Sequence, residues 1–335
     1  MRTIQWGIIG TGRIARKFAE ALGGCEGAGL CAVSSRTAEK AQAFAQEYGF
    51  RKAYGSYEAL AQDTETDVVY IATPMHSHYH DAKLCLLHDK NVLCEKSVTL
   101  NAAQLAELLA LAKERGLFFM EAMWMKCRPV YRKALAWLQS GKIGQVRYLK
   151  ADFSNFVPYR ADDRLFRADC GGGALLDLGV YPLTLAYDVL GMPQQIVSNA
   201  ALAHGVDISN SILLRYPCAY ASLESGFELG LRNNALISGT DGLIQFGDVF
   251  HCTDEVALLD KNGNTLEVFH SENRINGYEY EIEETMRCLA DGLRESPLVP
   301  QEGTRRVMEI MDICRRQWGL VFPDEISQGS PAGNI

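Results

Sequence analysis

The stretch that most restricts how this chain folds lies at its start. An apolar run from Thr3 enters Gly10-Thr11-Gly12-Arg13-Ile14-Ala15, and helical spacing follows from Arg13 to Leu22. A strand that turns through G-x-G-x-x-A into a helix opens a βαβ unit built to hold a dinucleotide. Gly10 permits the tight turn, and Gly12 lets the backbone approach a pyrophosphate. The small Ala15 lets helix and strand pack closely. The amides and dipole of the helix N-terminus then favour phosphate. Gly10, Thr11, Gly12, Arg13 and Ile14 are therefore candidate contacts to a nucleotide.

The alternation continues. Gly29–Ser34 reads as a strand, Ala38–Tyr48 as a helix, Ser56–Ala61 as a short helix and Asp67–Thr73 as a buried strand. Ser77–His88 reads as a helix, Asn91–Cys94 as a strand, Leu105–Arg115 as a helix and Leu117–Met120 as a strand. Strand and helix in turn predict a parallel, doubly wound sheet, a Rossmann domain over residues 1–122. After residue 123 the rhythm changes. Helices are expected at Val130–Leu138 and Ala174–Leu190, and strands at Val146–Phe153 and at seven sites from Ile196 to Phe269, with Asn262-Gly263 as a hairpin turn. Helices at Glu279–Arg294 and Glu302–Gln317 close the chain. Neighbouring strands with helices to one side predict an α+β domain over 123–326 with a large, mainly antiparallel open sheet. The Gly/Ser/Pro-rich tail 327–335 is expected to be disordered.

The end of the second strand selects the nucleotide. NAD enzymes commonly place Asp or Glu about 20 residues beyond the glycines, on the ribose hydroxyl. Here the chain reads Ser34-Ser35-Arg36-Thr37. With no carboxylate to repel a 2′-phosphate, and with Ser35 and Arg36 to bind it, the expected cofactor is NADP, with NAD tolerated.

Ligands of such sheets lie at the carboxyl ends of the strands. Two ends stand out. One is Thr73-Pro74 followed by His76-x-His78-x-His80, and the other is Glu95-Lys96-Ser97. Three imidazoles two residues apart share a face only in a strand, and a helix is expected from Ser77. No metal site is therefore assigned. Further on, Gly171-Gly172-Gly173 precedes a helix carrying Asp177 and Tyr181, four residues apart and so on one face. Pro182 has no N–H for the carbonyl of Leu178, so a kink is expected there.

Composition narrows the class. The chain has 335 residues, enough for two domains, and a net charge of −8 with both signs mixed along it. No basic stripe supports nucleic-acid binding. No signal-peptide pattern follows Met1, and no apolar run approaches a membrane span. The ten cysteines stand singly, with no C-x-x-C, which suits free thiols in a reducing cytoplasm.

Taken together, G-x-G-x-x-A, Ala72-Thr73-Pro74 with His78, Cys94-Glu95-Lys96 and Gly171–Tyr181 resemble the glucose–fructose oxidoreductase, inositol dehydrogenase and rhizopine catabolism (Gfo/Idh/MocA) family over roughly Ile4 to Leu320. Ala53–Glu58, Met120–Trp124, Gly172–Tyr181 and Glu295–Pro300 are most similar to a branch acting on cyclic diols and aldoses with NADP. The resemblance implies hydride transfer between a nicotinamide and a sugar, polyol or cyclic diol. It implies Lys96 and Tyr181 as the catalytic pair, with Asp177 on the substrate hydroxyls or on the geometry of the pair. It adds Thr73, Pro74, His78, Glu95 and Lys96 to the cofactor set. Trp124 and Phe153 become pocket walls, with Arg164, and more weakly Arg167, nearby. It also implies a homodimer through the open sheet. Two departures stand out: the family usually has Pro where this chain has Ser97, and Lys126-Cys127-Arg128-Pro129 is more cationic than in that branch. Two other functions fit the family: a glycosidase that retains its nicotinamide, and a non-catalytic nucleotide sensor. Tyr181 argues against the first and Lys96 with Tyr181 against the second.

Overall fold

The computed structural model describes residues 2–323 and 325. The tail expected at 327–335 lies outside the described residues. The chain opens with β1 (Ile4–Ile9), α1 (Arg13–Gly23), β2 (Ala28–Ser34), α2 (Ala38–Tyr48), β3 (Lys52–Tyr54) and α3 (Tyr57–Ala61). Then come β4 (Val68–Ile71), α4 (Met75–Leu87), β5 (Asn91–Glu95), α5 (Ala102–Arg115) and β6 (Phe119–Ala122). These strands form one sheet in the order β3-β2-β1-β4-β5-β6, parallel at every pairing. The order reverses between β1 and β4, the switch point beside which such sheets bind ligands. Val68 to Ile71 are all buried, as a strand covered on both faces requires. The Thr37, Ser56 and Asn101 side chains cap α2, α3 and α5. The edge strand β3 was not foreseen. It has three half-buried residues and pairs only with β2, so it carries no apolar period.

The second part contains α6 (Pro129–Gln139), β7 (Val146–Ser154) and a helical stretch made of a π turn over Leu175–Gly179 and α7 (Val180–Leu190). β8 (Gln195–Ala203), β9 (Val206–Arg215), β10 (Tyr220–Gly226), β11 (Ala235–Gly239), β12 (Gly242–Phe246), β13 (Glu255–Asp260) and β14 (Thr265–His270) follow. The eight strands order as β14-β13-β12-β11-β7-β10-β9-β8, antiparallel except where β10 meets β7. Leu149, Ile212, Leu214, Leu223, Ile237 and Ile244 bury one face of this sheet. In place of a simple kink at Pro182, the wide turn lies just before it. A Cβ at Gly179 would stand 2.9 Å from the Ser225 Oγ, so glycine lets this turn pack closely on β10. The sequence suggested no stretch of membrane-span length. Ala168–Leu190 has that length and hydropathy, with 72% of its apolar window buried inside the protein, as in a core helix.

The last two helices are α8 (Glu279–Ala290) and α9 (Gln301–Trp318). Two compact units result: one contains the residues up to Pro129 with Glu272–Arg305, the other Val130–Ser271 with the residues from Arg306. The expected division at residue 122 had assigned all of 272–305 to the second domain. The contacts of α8 with α1 and with the 3-10 turn Trp124–Cys127 draw it into the first unit instead.

Candidate functional site

In the first unit, Gly10 has φ +102, and a Cβ there would lie 2.7 Å from the Ala72 carbonyl oxygen. Only glycine satisfies both conditions. Beyond it the space above Gly12 is open. No side chain caps α1, and its first turn has no acidic residue. Its leading N–H groups and dipole are thus left for an anion. Ser35 is buried, with its hydroxyl 3.3 Å from that of Thr11. The Thr37 hydroxyl is committed to the Lys40 N–H at 3.4 Å, whereas Arg36 is exposed at the rim. An open glycine turn, an uncapped helix and an exposed arginine at the end of β2 fit a dinucleotide.

The ends of β4 and β5 are tied together by His78. Helix α4 begins at Met75, two residues earlier than expected, and places this ring inside, 2% exposed. One ring nitrogen lies 2.8 Å from the Thr73 carbonyl oxygen and the other 2.9 Å from that of Ser97. Carbonyls only accept, so whichever ring nitrogen carries the hydrogen donates to its carbonyl, and the tautomer decides which of the two that is. The Thr73 hydroxyl donates to Asp81 at 2.6 Å. The His78 ring links the end of β4 to the loop that follows Lys96. The Lys96–Ser97 peptide, where the family usually has Pro, is cis.

Around half-buried Lys96 the acids are buried. Glu95 is 7% exposed, accepts the Tyr70 phenol and receives the Lys96 N–H at 3.2 Å. Glu281, from α8, is fully buried, and among the described residues neither of its carboxyl oxygens has a hydrogen-bond partner. Burial, and then the charge of Glu95, holds its carboxyl well above the usual range. Glu121 accepts the Val98 N–H at 3.2 Å. Burial pushes its carboxyl up to about 7, against the pull of Val98, Thr304, Lys126 and Lys96. The Trp124 ring stacks on Tyr278 at 4.8 Å between centroids, and the Arg128 guanidinium sits over Trp124 at 5.3 Å.

In the second unit the π turn and α7 carry Asp177 and Tyr181. Asp207 anchors the start of this stretch, accepting the Leu175 N–H at 2.8 Å and the Asn210 amide at 2.9 Å. Burial pushes the Asp207 carboxyl up to about 7. Arg164 reaches Asp177 at 3.4 Å, whereas Arg167 turns to Asp169 at 2.5 Å. Tyr181, Phe153 and His251 form one buried aromatic cluster. Tyr181 and Phe153 meet edge-on at 5.5 Å, and His251 packs at 4.6 Å from Tyr181 and 4.2 Å from Phe153. Phe153 and Tyr181 thus lie together, and Arg164 pairs with Asp177. Lys96 and Trp124 belong to the other unit.

Sequence reasoning missed His251, Glu121, Glu281 and Asp207. The motif Met120–Trp124 held a signal for Glu121: a carboxylate inside a buried strand beside β5. His251 stands alone between strands, with no spacing to mark it.

The comparisons agree with this architecture. Residues 4–123 match the model described as oxidoreductase family, NAD-binding Rossmann fold, and residues 131–245 match the Gfo/Idh/MocA C-terminal domain. A trans-1,2-dihydrobenzene-1,2-diol dehydrogenase from Xenopus laevis is 36% identical, over 95% of this chain and 99% of its own. A 3-ketoreductase from Actinomadura kijaniata, solved in complex with NADP and TDP-benzene, is 28% identical with a TM-score of 0.84, over 94% of this chain and 98% of that one. A levoglucosan dehydrogenase in complex with NADH shares the fold, at 18% identity and a TM-score of 0.85, over 94% of this chain and 97% of that one. By its two matched domains and its full-length relatives, the chain belongs to the Gfo/Idh/MocA family of NAD(P)-dependent oxidoreductases.

Proposed function

We propose that the protein is an NADP-dependent dehydrogenase that oxidises a hydroxyl of a sugar, polyol or cyclic diol, or reduces the matching carbonyl, with Lys96 and Tyr181 as the catalytic pair. The observation that carries the reading is the grouping of Tyr181 with Phe153, beside Asp177 held by Arg164. It combines a proton-exchanging phenol, an apolar wall for a ring and a charged group for hydroxyls. The names of the relatives point the same way: a diol dehydrogenase and a ketoreductase solved with NADP.

When bound, the nicotinamide supplies the carbon that exchanges hydride with the substrate. The residues of the chain do the rest. Gly10, Thr11, Gly12, Arg13 and Ile14 offer backbone donors to the pyrophosphate. Ser35 and Arg36 hold the 2′-phosphate. Thr73, Pro74, His78 and Glu95 shape the two strand ends. In oxidation the Tyr181 phenolate takes the hydroxyl proton, and the Lys96 ammonium orients the substrate oxygen and favours that phenolate. Asp177, steadied by Arg164, accepts from neighbouring hydroxyls. Trp124 and Phe153 face the ring.

The same proposal includes a homodimer through the outer face of the second sheet. There Val197 and Leu213, paired across β8 and β9, are 53% and 45% exposed, and Tyr220 is 51% exposed. Light scattering at micromolar concentration tests it, and a monomer refutes it.

Turnover is tested by following nicotinamide absorbance with NADP and a panel of aldoses, polyols and cyclic diols. Lys96→Met should abolish turnover and spare NADP binding. Turnover that survives Lys96→Met refutes the assignment of Lys96. Tight NADP binding without turnover of any panel member refutes the dehydrogenase reading.

A further inference from the structure

We propose that Glu121 is a proton-linked positioning residue for Lys96, tightening the hold on the Lys96 loop when it ionises. The inference rests on the reading of Lys96 as catalytic. Glu121 lies on β6 opposite Cys94 of β5, 5% exposed. Its Oε1 takes the Val98 N–H at 3.2 Å, two residues beyond Lys96. The carboxyl therefore grips the loop from below, while the His78 ring grips the Ser97 carbonyl at 2.9 Å from the side.

The groups bearing on Glu121 come from four elements. They are Lys126 on the turn Trp124–Cys127, Lys96 on the loop itself, the Thr304 side chain on α9, and the Cys94 thiol on β5, which burial keeps protonated. Lys126 and Lys96 thus both bear on this buried acid, and Glu95, also buried, adjoins Lys96. Burial pushes the Glu121 carboxyl up to about 7, so it changes charge in the neutral range. Ionised, it accepts the Val98 N–H as a charge-assisted bond and offsets positive charge at Lys96 and Lys126. Protonated, it is a weaker acceptor and offers Lys96 no counter-charge.

The test compares intact wild-type protein with Glu121→Gln, which keeps an acceptor for Val98 and cannot ionise. Three measurements are made from about pH 6 to about pH 9, a range spanning the neutral transition: kcat and KM, NADPH affinity by fluorescence, and acetylation of Lys96 by acetic anhydride, read by mass spectrometry. Wild type should show an inflection near 7 both in kcat and in the Lys96 labelling profile. In Glu121→Gln both inflections should vanish. Its kcat should fall about tenfold at about pH 8, while KM and NADPH affinity stay within about twofold. Inflections unchanged in Glu121→Gln overturn the proposal. So does a wild-type labelling profile with no inflection near 7, a result that needs no variant to fold. If no substrate is turned over, the catalytic reading of Lys96 fails, and the labelling profiles still decide whether Glu121 governs that lysine.

Discussion

Tyr70 donates its phenol to Glu95, and this bond joins the middle of β4 to the residue just before Lys96. The same ring stacks on Phe18 at 3.5 Å, nearly parallel. Burial, with the Glu95 charge second, holds the phenol protonated, so it remains a donor. Tyr70→Phe keeps the stack and removes only the hydroxyl. The variant should lose about 1–3 kcal/mol of stability, because a buried carboxylate loses a donor. Denaturant unfolding measures this, and wild-type stability in the variant would exclude the bond as a support for Glu95.

Glu281 gives the opposite expectation. Its folded carboxyl is held well above the usual range by burial and by Glu95, whereas in the unfolded chain it ionises near about 4.3. The folded state therefore keeps a proton that the unfolded state releases. Stability is undiminished below about pH 4 and falls as pH rises above it. Glu281→Gln removes this dependence. It should be more stable than wild type at about pH 7.5, with the gap closing toward about pH 4. Chemical denaturation at both pH values checks the sign; parallel curves would count against a neutral Glu281.

Asp207 holds the start of the helix that carries Asp177 and Tyr181. Asp207→Ala removes the acceptor of the Leu175 N–H and should cost about 1–2 kcal/mol, as loss of a helix cap does. Hydrogen exchange should quicken first at Leu175 and in the residues after it. Exchange unchanged there would mean that the π turn is held by its other contacts alone.

If the proposed preference for NADP holds, Arg36 is the residue that meets the 2′-phosphate. Arg36→Ala should weaken NADPH binding about tenfold or more and leave NADH binding within about twofold, since only the 2′-phosphate loses a partner. Fluorescence titration of both nucleotides measures the ratio. Equal losses for both would place Arg36 elsewhere than on the 2′-phosphate.

Much of this protein was legible from local pattern. The alternation from β1 to β6 followed from hydrophobic period, and α2 appeared at its predicted bounds because Thr37 starts it and Gly49 stops it. The open turn at Gly10 and Gly12, the charges at the end of β5, and Arg36 at the end of β2 are also local. Turn chemistry and strand ends are written within a few consecutive residues, so a single sequence displays them.

Tertiary structure alone decided the rest. The placing of β10 parallel to β7, and of 272–305 with the first unit, depends on contacts between residues far apart in the chain. The same is true of His251 beside Tyr181, Glu281 within the field of Glu95, and Glu121 holding Val98. A lone polar residue carries no periodic signal. Whether it becomes a solvated charge or a buried, proton-holding acid is set by the neighbours that remove its water, and these are chosen only when the strands and helices pack. The sequence by itself determined a nucleotide fold and singled out Lys96 and Tyr181 as candidates; packing determined which acids lose their water.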